Sequence, residues 1–325
     1  MKRHLNLRVG LRMAGLVSLV IVSNAFLAPA QTDTTSGSQI TTKSESLSPA
    51  ELVRAAVKNE VAASKESSAL HSFRSEKKTP RGSQTKLYVE TKDCMAGIVI
   101  ANNDEPLTPQ QRQGELDHLD GLVNDPQQLR NKRAREKEDA DRTLRMVKAL
   151  PDAFLYEYDG TETGTATIGH SGDELMRLKF RPNPDYSPPS RVEQVLSGMK
   201  GYLLVDAKKM RLAKIDGTLF REVGFGWGIL GHLDEGGHFL VDQAELDDGS
   251  WEITRMSLKF TGKALFFKSI NIVSDEVLSD FRSVPSDTTF AQGVQMLKAG
   301  QAKLAENRED RAEKEAAAPR DDPHE

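Results

Sequence analysis

The sequence predicts an α+β protein, mainly antiparallel β, in which one strongly curved sheet carries flanking helices on its concave side. Three observations lead there. Between Ala153 and Pro285, short runs rich in β-branched and aromatic residues alternate with Asp159-Gly160, Asp216-Gly217, Asp248-Gly249 and Thr261-Gly262. Turn pairs that short permit only antiparallel pairing. Within "WEITRMSLKF", Met256, Leu258 and Phe260 share one phase of the two-residue repeat, while Trp251 and Ile253 hold the other. A bulge near Thr254 gathers both sets on one face, and a bulge bends its strand. Ahead of this region stand three stretches with the chemistry of helix starts.

The elements follow in order. Lys2, Arg3, Arg8 and Arg12 precede an uncharged run from Met13 to Leu27, and Ala28-Pro29-Ala30 then satisfies the small-x-small rule. Residues 1–30 read as a secretory signal peptide cleaved after Ala30, because the apolar run is short for a bilayer span of about 20 residues. Residues 31–47, rich in Ser and Thr, read as a disordered linker. Ser48-Pro49-Ala50-Glu51 combines a cap, a proline at the first helical position and a reciprocal acid, so a helix begins there. Strands are expected over 70–74, 86–90 and 95–101, with "KKTPRGSQ" turning between the first two. Thr108-Pro109-Gln110-Gln111 and Asp125-Pro126-Gln127-Gln128 start two more helices, the second ending near Ala149 before Pro151. Its middle, "RNKRAREKEDADR", interleaves both charge signs as a solvated face does, and Ala140, Leu144 and Val147 dock its end. Further strands are expected over 154–158, 174–181, 200–206, 210–215, 219–223, 238–243, 251–260, 263–273 and 277–282. "RPNPDYSPPS" and a short helix capped by Ser190 interrupt them. A single domain thus spans 48–290 with a helical insertion at 108–150, and 291–325 forms a charged, helix-prone tail.

The formal net charge of −4 over 325 residues supplies no general attraction for nucleic acid. Cys94 is the one cysteine; it has no disulfide partner in the chain and sits in a strand-like run, the setting of a small buried hydrophobe. "GFGWGILGH" contains G-x-G-x-x-G at Gly226, Gly228 and Gly231, but that motif works by opening a helix beneath a pyrophosphate. Here Gly236 and Gly237 follow and forbid the helix. The same glycines deny His232 and His238 of "HLDEGGH" the shared helix face on which H-E-x-x-H zinc sites depend. No G-x-S-x-G occurs, and nothing marks a carboxylate pair for acid–base work. The protein is expected to be no enzyme, with no catalytic residue, cofactor or metal ligand assigned. A metal-dependent hydrolase around His232 and His238 is the remaining catalytic alternative.

What is left is a set of large apolar residues on a β scaffold: Phe220, Phe225, Trp227, Ile229, Leu230, Phe239, Trp251, Phe260 and Phe266. A concave sheet face that its helices do not fill leaves a groove for apolar ligands, and this set is the expected binding surface. Phe225, Trp227, Ile229 and Leu230 are placed on a rim loop between strands 219–223 and 238–243.

"GYLLVDAKKMRLAKIDGTL", followed by "GGHFLVDQAELDDGSWEITRMSLKFTGKALFFKS", resembles the lipoprotein-carrier superfamily when joined to a signal peptide, an N-terminal helix and helices inserted midway. That superfamily includes the periplasmic lipoprotein chaperone, its outer-membrane receptor and envelope-stress sensor domains. The likeness covers about Lys200 to Pro285; the N-terminal half matches in element order. It implies a half-barrel of about eleven strands, closed by helices around a cavity for acyl chains, with no catalytic residue. The expected function is that of an exported, periplasmic, non-enzymatic binder of lipids or lipoprotein acyl chains. The alternative is an envelope interaction or stress-sensor protein with a packed sheet. Expected partners are a lipid or acyl chain, a lipoprotein or envelope protein, and a membrane surface touched peripherally, but no nucleic acid.

Overall fold

The computed structural model describes residues 47–66, 69–226, 230–264 and 268–317. The expected signal peptide, and the linker up to residue 46, lie outside them. Helix α1 (Pro49–Glu66) begins as its cap requires, with Ser48 N–H donating to Glu51 at 2.8 Å and Glu51 N–H donating to the Ser48 hydroxyl at 3.3 Å. A meander follows: β1 (Leu70–Thr79), β2 (Gly82–Val89), β3 (Ala96–Asn102) and the two-residue β4 (Glu105–Pro106). Thr108 with Gln111 forms the reciprocal cap of α2 (Pro109–Asn124), and the Asp125 carboxylate caps α3 (Pro126–Ala153). Next come β5 (Phe154–Thr163), β6 (Glu174–Pro182), the single turn α4 (Arg191–Gln194) capped by Ser190, and a 3-10 turn at Val195–Gly198. The remaining strands are β7 (Met199–Asp206), β8 (Arg211–Leu219), β9 (Val223–Phe225), β10 (Gly231–Leu233), β11 (His238–Glu245), β12 (Trp251–Ala264) and β13 (Lys268–Val284). Helix α5 (Phe290–Ala317) comes last.

All thirteen strands belong to one sheet, with the order β4-β3-β2-β1-β13-β12-β11-β8-β7-β6-β5 and with β10 and β9 branching from β12. The named pairings are antiparallel and the sheet stays open. The expected bulge is present. Asp242 faces Arg255 but Gln243 faces Ile253, so Thr254 is the extra residue. Trp251, Ile253, Met256, Leu258 and Phe260 are all buried.

Several expected breaks are not breaks. Asp216-Gly217 was expected to turn, with strands at 210–215 and 219–223; instead β8 runs straight through it. Gly217 pairs with Gly201, and a Cβ on Gly217 would meet Met199 Cε at 2.8 Å and Phe180 Cζ at 3.2 Å. The glycine makes room for side chains that cross the strand rather than turning it. Thr261-Gly262 likewise lies inside β12, where a Cβ on Gly262 would meet the His232 carbonyl oxygen at 2.1 Å. The strands expected over 263–273 and 277–282 are one strand, β13, over most of their length. Asp159-Gly160 is an irregularity within β5, where the register shifts between Tyr158 and Thr161. Pro151 does not end α3, which continues to Ala153. The proline costs the Val147 carbonyl its N–H donor, a loss set against the burial of Leu150, Pro151 and Ala153.

Two large apolar cores result, with a smaller cluster of Leu175, Leu204, Ala213 and Trp251 beside them. In the first, Leu52, Val53, Ala56 and Val57 of α1 and the end of α3 pack against a run of strands from β1 through β12 and β8 to β5. In the second, Phe290, Val294 and Leu297 of α5, with Leu119 of α2, cover Val89, Ala96, Ile98 and Ile100. Tyr88 joins the first core while its neighbours Leu87 and Val89 join the second, so the two cores lie on opposite faces at this end of the sheet. The core therefore continues past residue 290 into the expected tail. No helix among the described residues is long and apolar enough to cross a membrane.

Candidate functional site: an apolar groove and a buried histidine–carboxylate cluster

A groove of about 400 Å³ lies between α5 and the strands β1, β2 and β13. Its apolar wall is Leu87 and Val89 below and Met296, Leu297 and Leu304 above. Cross-strand register explains the lining: Arg74 pairs with Leu87, and Ser72 pairs with both Val89 and Arg282, so these side chains share the α5 face. Two glycines shape the helix side. At Gly293 a Cβ would meet Thr91 Cγ2 at 2.7 Å, which lets α5 press on the sheet. At Gly300 the nearest heavy atom to such a Cβ is Leu87 Cδ1 at 3.9 Å, so the missing side chain leaves open space. Arg74, Arg282 and Lys303 stand around the groove together with Asp280. Arg74 is engaged by Glu76 at 2.8 Å. Arg282 and Lys303 are exposed and have no ion-pair partner among the described residues. Asp280 adopts a left-handed backbone (φ 57°) where β1 and β13 lose register, a strained conformation beside the groove.

The second feature lies where β1 and β12 begin and β2 and β13 end. His71, only 1% exposed, has Nε2 2.8 Å from Asp248 Oδ2, and Nδ1 3.1 Å from Glu252 and 3.7 Å from Glu90. Backbone pairing holds it: His71 N–H donates to Glu90 at 2.9 Å, and Glu90 N–H donates to the His71 carbonyl at 2.8 Å. Burial opposes a charge on the imidazole, but Glu252, Glu90 and Asp248 outweigh it and push the pKa up to about 10. Asp248 is held well below the usual carboxylate range: burial works against it, and hydrogen bonds from Ser250, His71 and Ser283 prevail.

The residues expected to bind ligand are dispersed. Phe260 is in the first core, and Trp251 is buried beside Leu175, Leu204 and Ala213. Phe225 and Phe239 are half-buried against the first core, and Leu230 is half-buried. Phe220 lies between Lys200 and Arg221, each 5.6 Å from its ring centre. Trp227, Ile229 and Phe266 lie outside the described residues. None of the others lines the groove. His232 and His238 do not meet in one cluster: His238 pairs with Asp216 at 2.9 Å, while His232 approaches Asp234 at 3.3 Å and Glu222 at 4.0 Å. Their partners on β12, Lys263 and Lys259, are four positions apart, about 13 Å along a strand.

Sequence reasoning missed both features. His71, Glu90, Asp248 and Glu252 come from separate strand ends and share no spacing. The one local signal is a glutamate between Trp251 and Ile253, in a strand that is buried on both sides of it.

No protein-family model and no curated protein matches this chain. Among solved structures, a DUF1329 family protein from Desulfovibrio piger ATCC 29098 aligns over 77% of this chain and 100% of its own, at 9% identity and a TM-score of 0.24.

Proposed function

We propose that this protein is an exported, non-enzymatic carrier of an amphiphile with an anionic head, such as a lipid or a lipoprotein acyl chain. The chain lies in the groove under α5 and the head meets Arg282 and Lys303. The observation that carries this reading is the pairing of an apolar slot of about 400 Å³ with two exposed cations at its mouth. That volume falls in the range of small-molecule sites. Each methylene taken from water contributes about 0.8 kcal/mol, so seating about ten offers about 8 kcal/mol before ordering costs, the micromolar range. The resemblance of Lys200–Pro285 to lipoprotein carriers and the signal-like residues 1–30 support the same reading, with the periplasm as the compartment. The ligand space is not the one formed by the expected apolar set: none of those described lines the groove, and Phe260 packs in the core that α1 covers.

The test uses a fluorescent C18 polyene fatty acid and its neutral alcohol. Wild type should bind the acid saturably. Gly300→Leu should weaken binding at least tenfold without lowering Tm, since a side chain there enters the groove. Charge reversal at Arg282 and Lys303 should weaken the acid and spare the alcohol. Uptake by Gly300→Leu at wild-type affinity, or no uptake by wild type, would sink the reading.

A further inference from the structure

Three donors from three separate strand ends converge inside the protein: His71 Nδ1, a Glu90 oxygen and a Glu252 oxygen, all within 4.8 Å of one another. One atom of this arrangement is left without a well-formed hydrogen bond. Nδ1 of His71 has carboxylate oxygens at 3.1 and 3.7 Å but makes no hydrogen bond of normal geometry, and the atom is sealed from solvent. A tetrahedral metal centre produces that pattern. With metal–ligand bonds of about 2.0–2.1 Å, neighbouring donors sit about 3.3 Å apart and off one another's axes. The two observed distances straddle this value.

The other ring nitrogen completes the geometry. Nε2 faces Asp248 at 2.8 Å, the outer carboxylate contact that fixes a ligating histidine's tautomer and turns the Nδ1 lone pair to the metal. Asp248 is oriented in turn by the Ser250 hydroxyl at 2.5 Å, the Ser250 N–H at 3.0 Å and the Ser283 hydroxyl at 3.0 Å. Glu90 is oriented by the His71 N–H at 2.9 Å. The donors are thus held by partners of their own, as those of a built site are.

We infer that His71, Glu90 and Glu252 bind one divalent transition-metal ion, zinc by the donor set, in a structural centre that ties β1, the end of β2 and β12 together. One imidazole with carboxylates suits zinc better than magnesium or calcium, which prefer all-oxygen shells. All three ligand residues are buried, so the centre is placed to hold strands, with the fourth tetrahedral position left to the second oxygen of a glutamate or to an enclosed water. The ion occupies the place of the proton on Nδ1. The trio Glu222, His232 and Asp234 is the internal comparison, because it offers the same donor types with none of the three buried.

The full chain, stripped with a chelator and dialysed, is titrated with zinc against a chromophoric competitor. Wild type should take up one equivalent and show a raised Tm. His71→Gln should lose that uptake, and His232→Gln should keep it. Asp248→Asn should bind 10–100-fold more weakly, the usual cost of removing an outer partner. If His71→Gln fails to fold, Asp248→Asn decides alone, because the Asp248 side chain is 32% exposed and removing its charge leaves the packing intact. Wild type that takes no zinc from the competitor overturns the inference, as does wild-type affinity in Asp248→Asn or loss of uptake in His232→Gln.

Discussion

Cys94 and His71 are the two buried reactive groups whose behaviour follows most directly from their surroundings. Cys94 is fully buried, and burial with the nearby Glu136 charge pushes its thiol up to about 12. A neutral thiol out of solvent is inert, so a chromogenic disulfide reagent should leave the native protein unlabelled and take one equivalent in denaturant. Rapid labelling of native protein would refute this. His71 has the opposite sign of coupling to folding. In chelator-treated protein its folded pKa of about 10 exceeds the unfolded value of about 6.5. Its contribution is therefore complete below about pH 6.5 and is lost progressively as pH rises through about 10. The urea midpoint of metal-free wild type should fall across that window more steeply than that of His71→Gln; parallel profiles would show that the imidazole carries no such charge. At this scale the sequence was legible for Cys94, whose apolar neighbours announce its burial. It was not legible for His71, because nothing local distinguishes a histidine in "LHSFR" that meets three distant carboxylates from one that faces water.

Among the elements, helix starts were legible because a cap is a local contract: Ser48, Thr108, Asp125 and Ser190 each accept backbone N–H groups from residues two or three further on. Strand ends were less legible, since Asp-Gly and Thr-Gly pairs signal a turn only when the glycine is needed for a positive φ. Gly249 uses that freedom at φ 79°, whereas Gly217 and Gly262 are glycines because neighbouring atoms leave no room for a Cβ. The same distinction yields paired predictions. A Cβ on Gly201 would lie 1.9 Å from the Asp216 carbonyl oxygen, so Gly201→Ala should cost about 3 kcal/mol or more. Gly300 is helical with open space beside it, so Gly300→Ala should gain up to about 1 kcal/mol. Urea unfolding should move the two midpoints in opposite directions; a shift of one sign for both would break the distinction. The sheet edge is managed at this scale too. Glu115 and Glu136 accept the N–H groups of Val99 and Met95 on the β3 side, so α2 and α3 occupy bonding positions that another chain would otherwise use.

For the molecule as a whole, the decisive fact is where its last strand lies. β13 does not sit at an edge; it pairs with β1 on one side and β12 on the other, as in His71 with Ser283 and Met256 with Glu276. The wing β4-β3-β2-β1 therefore joins the wing β8-β7-β6-β5 only through the three C-terminal strands β11, β12 and β13. The sequence announced the antiparallel hairpins, but not this insertion, because pairing between residues some two hundred positions apart leaves no local trace. Closing so long a loop costs entropy before any contact rewards it, which places folding on the slow side for a domain of this size. It also makes the sheet one cooperative unit, since neither wing can keep its core after β13 leaves: Leu278 belongs to the α1 core and Val284 to the α5 core. Native-state hydrogen exchange should find the slowest amides in β1, β12 and β13, opening only with global unfolding. A chain ending at residue 264, which lacks β13 and α5, should show no cooperative urea transition by near-ultraviolet circular dichroism. Two resolved transitions in the intact protein, or a cooperative one in the shortened chain, would mean that the wings fold independently and that β13 fastens two finished halves rather than completing one.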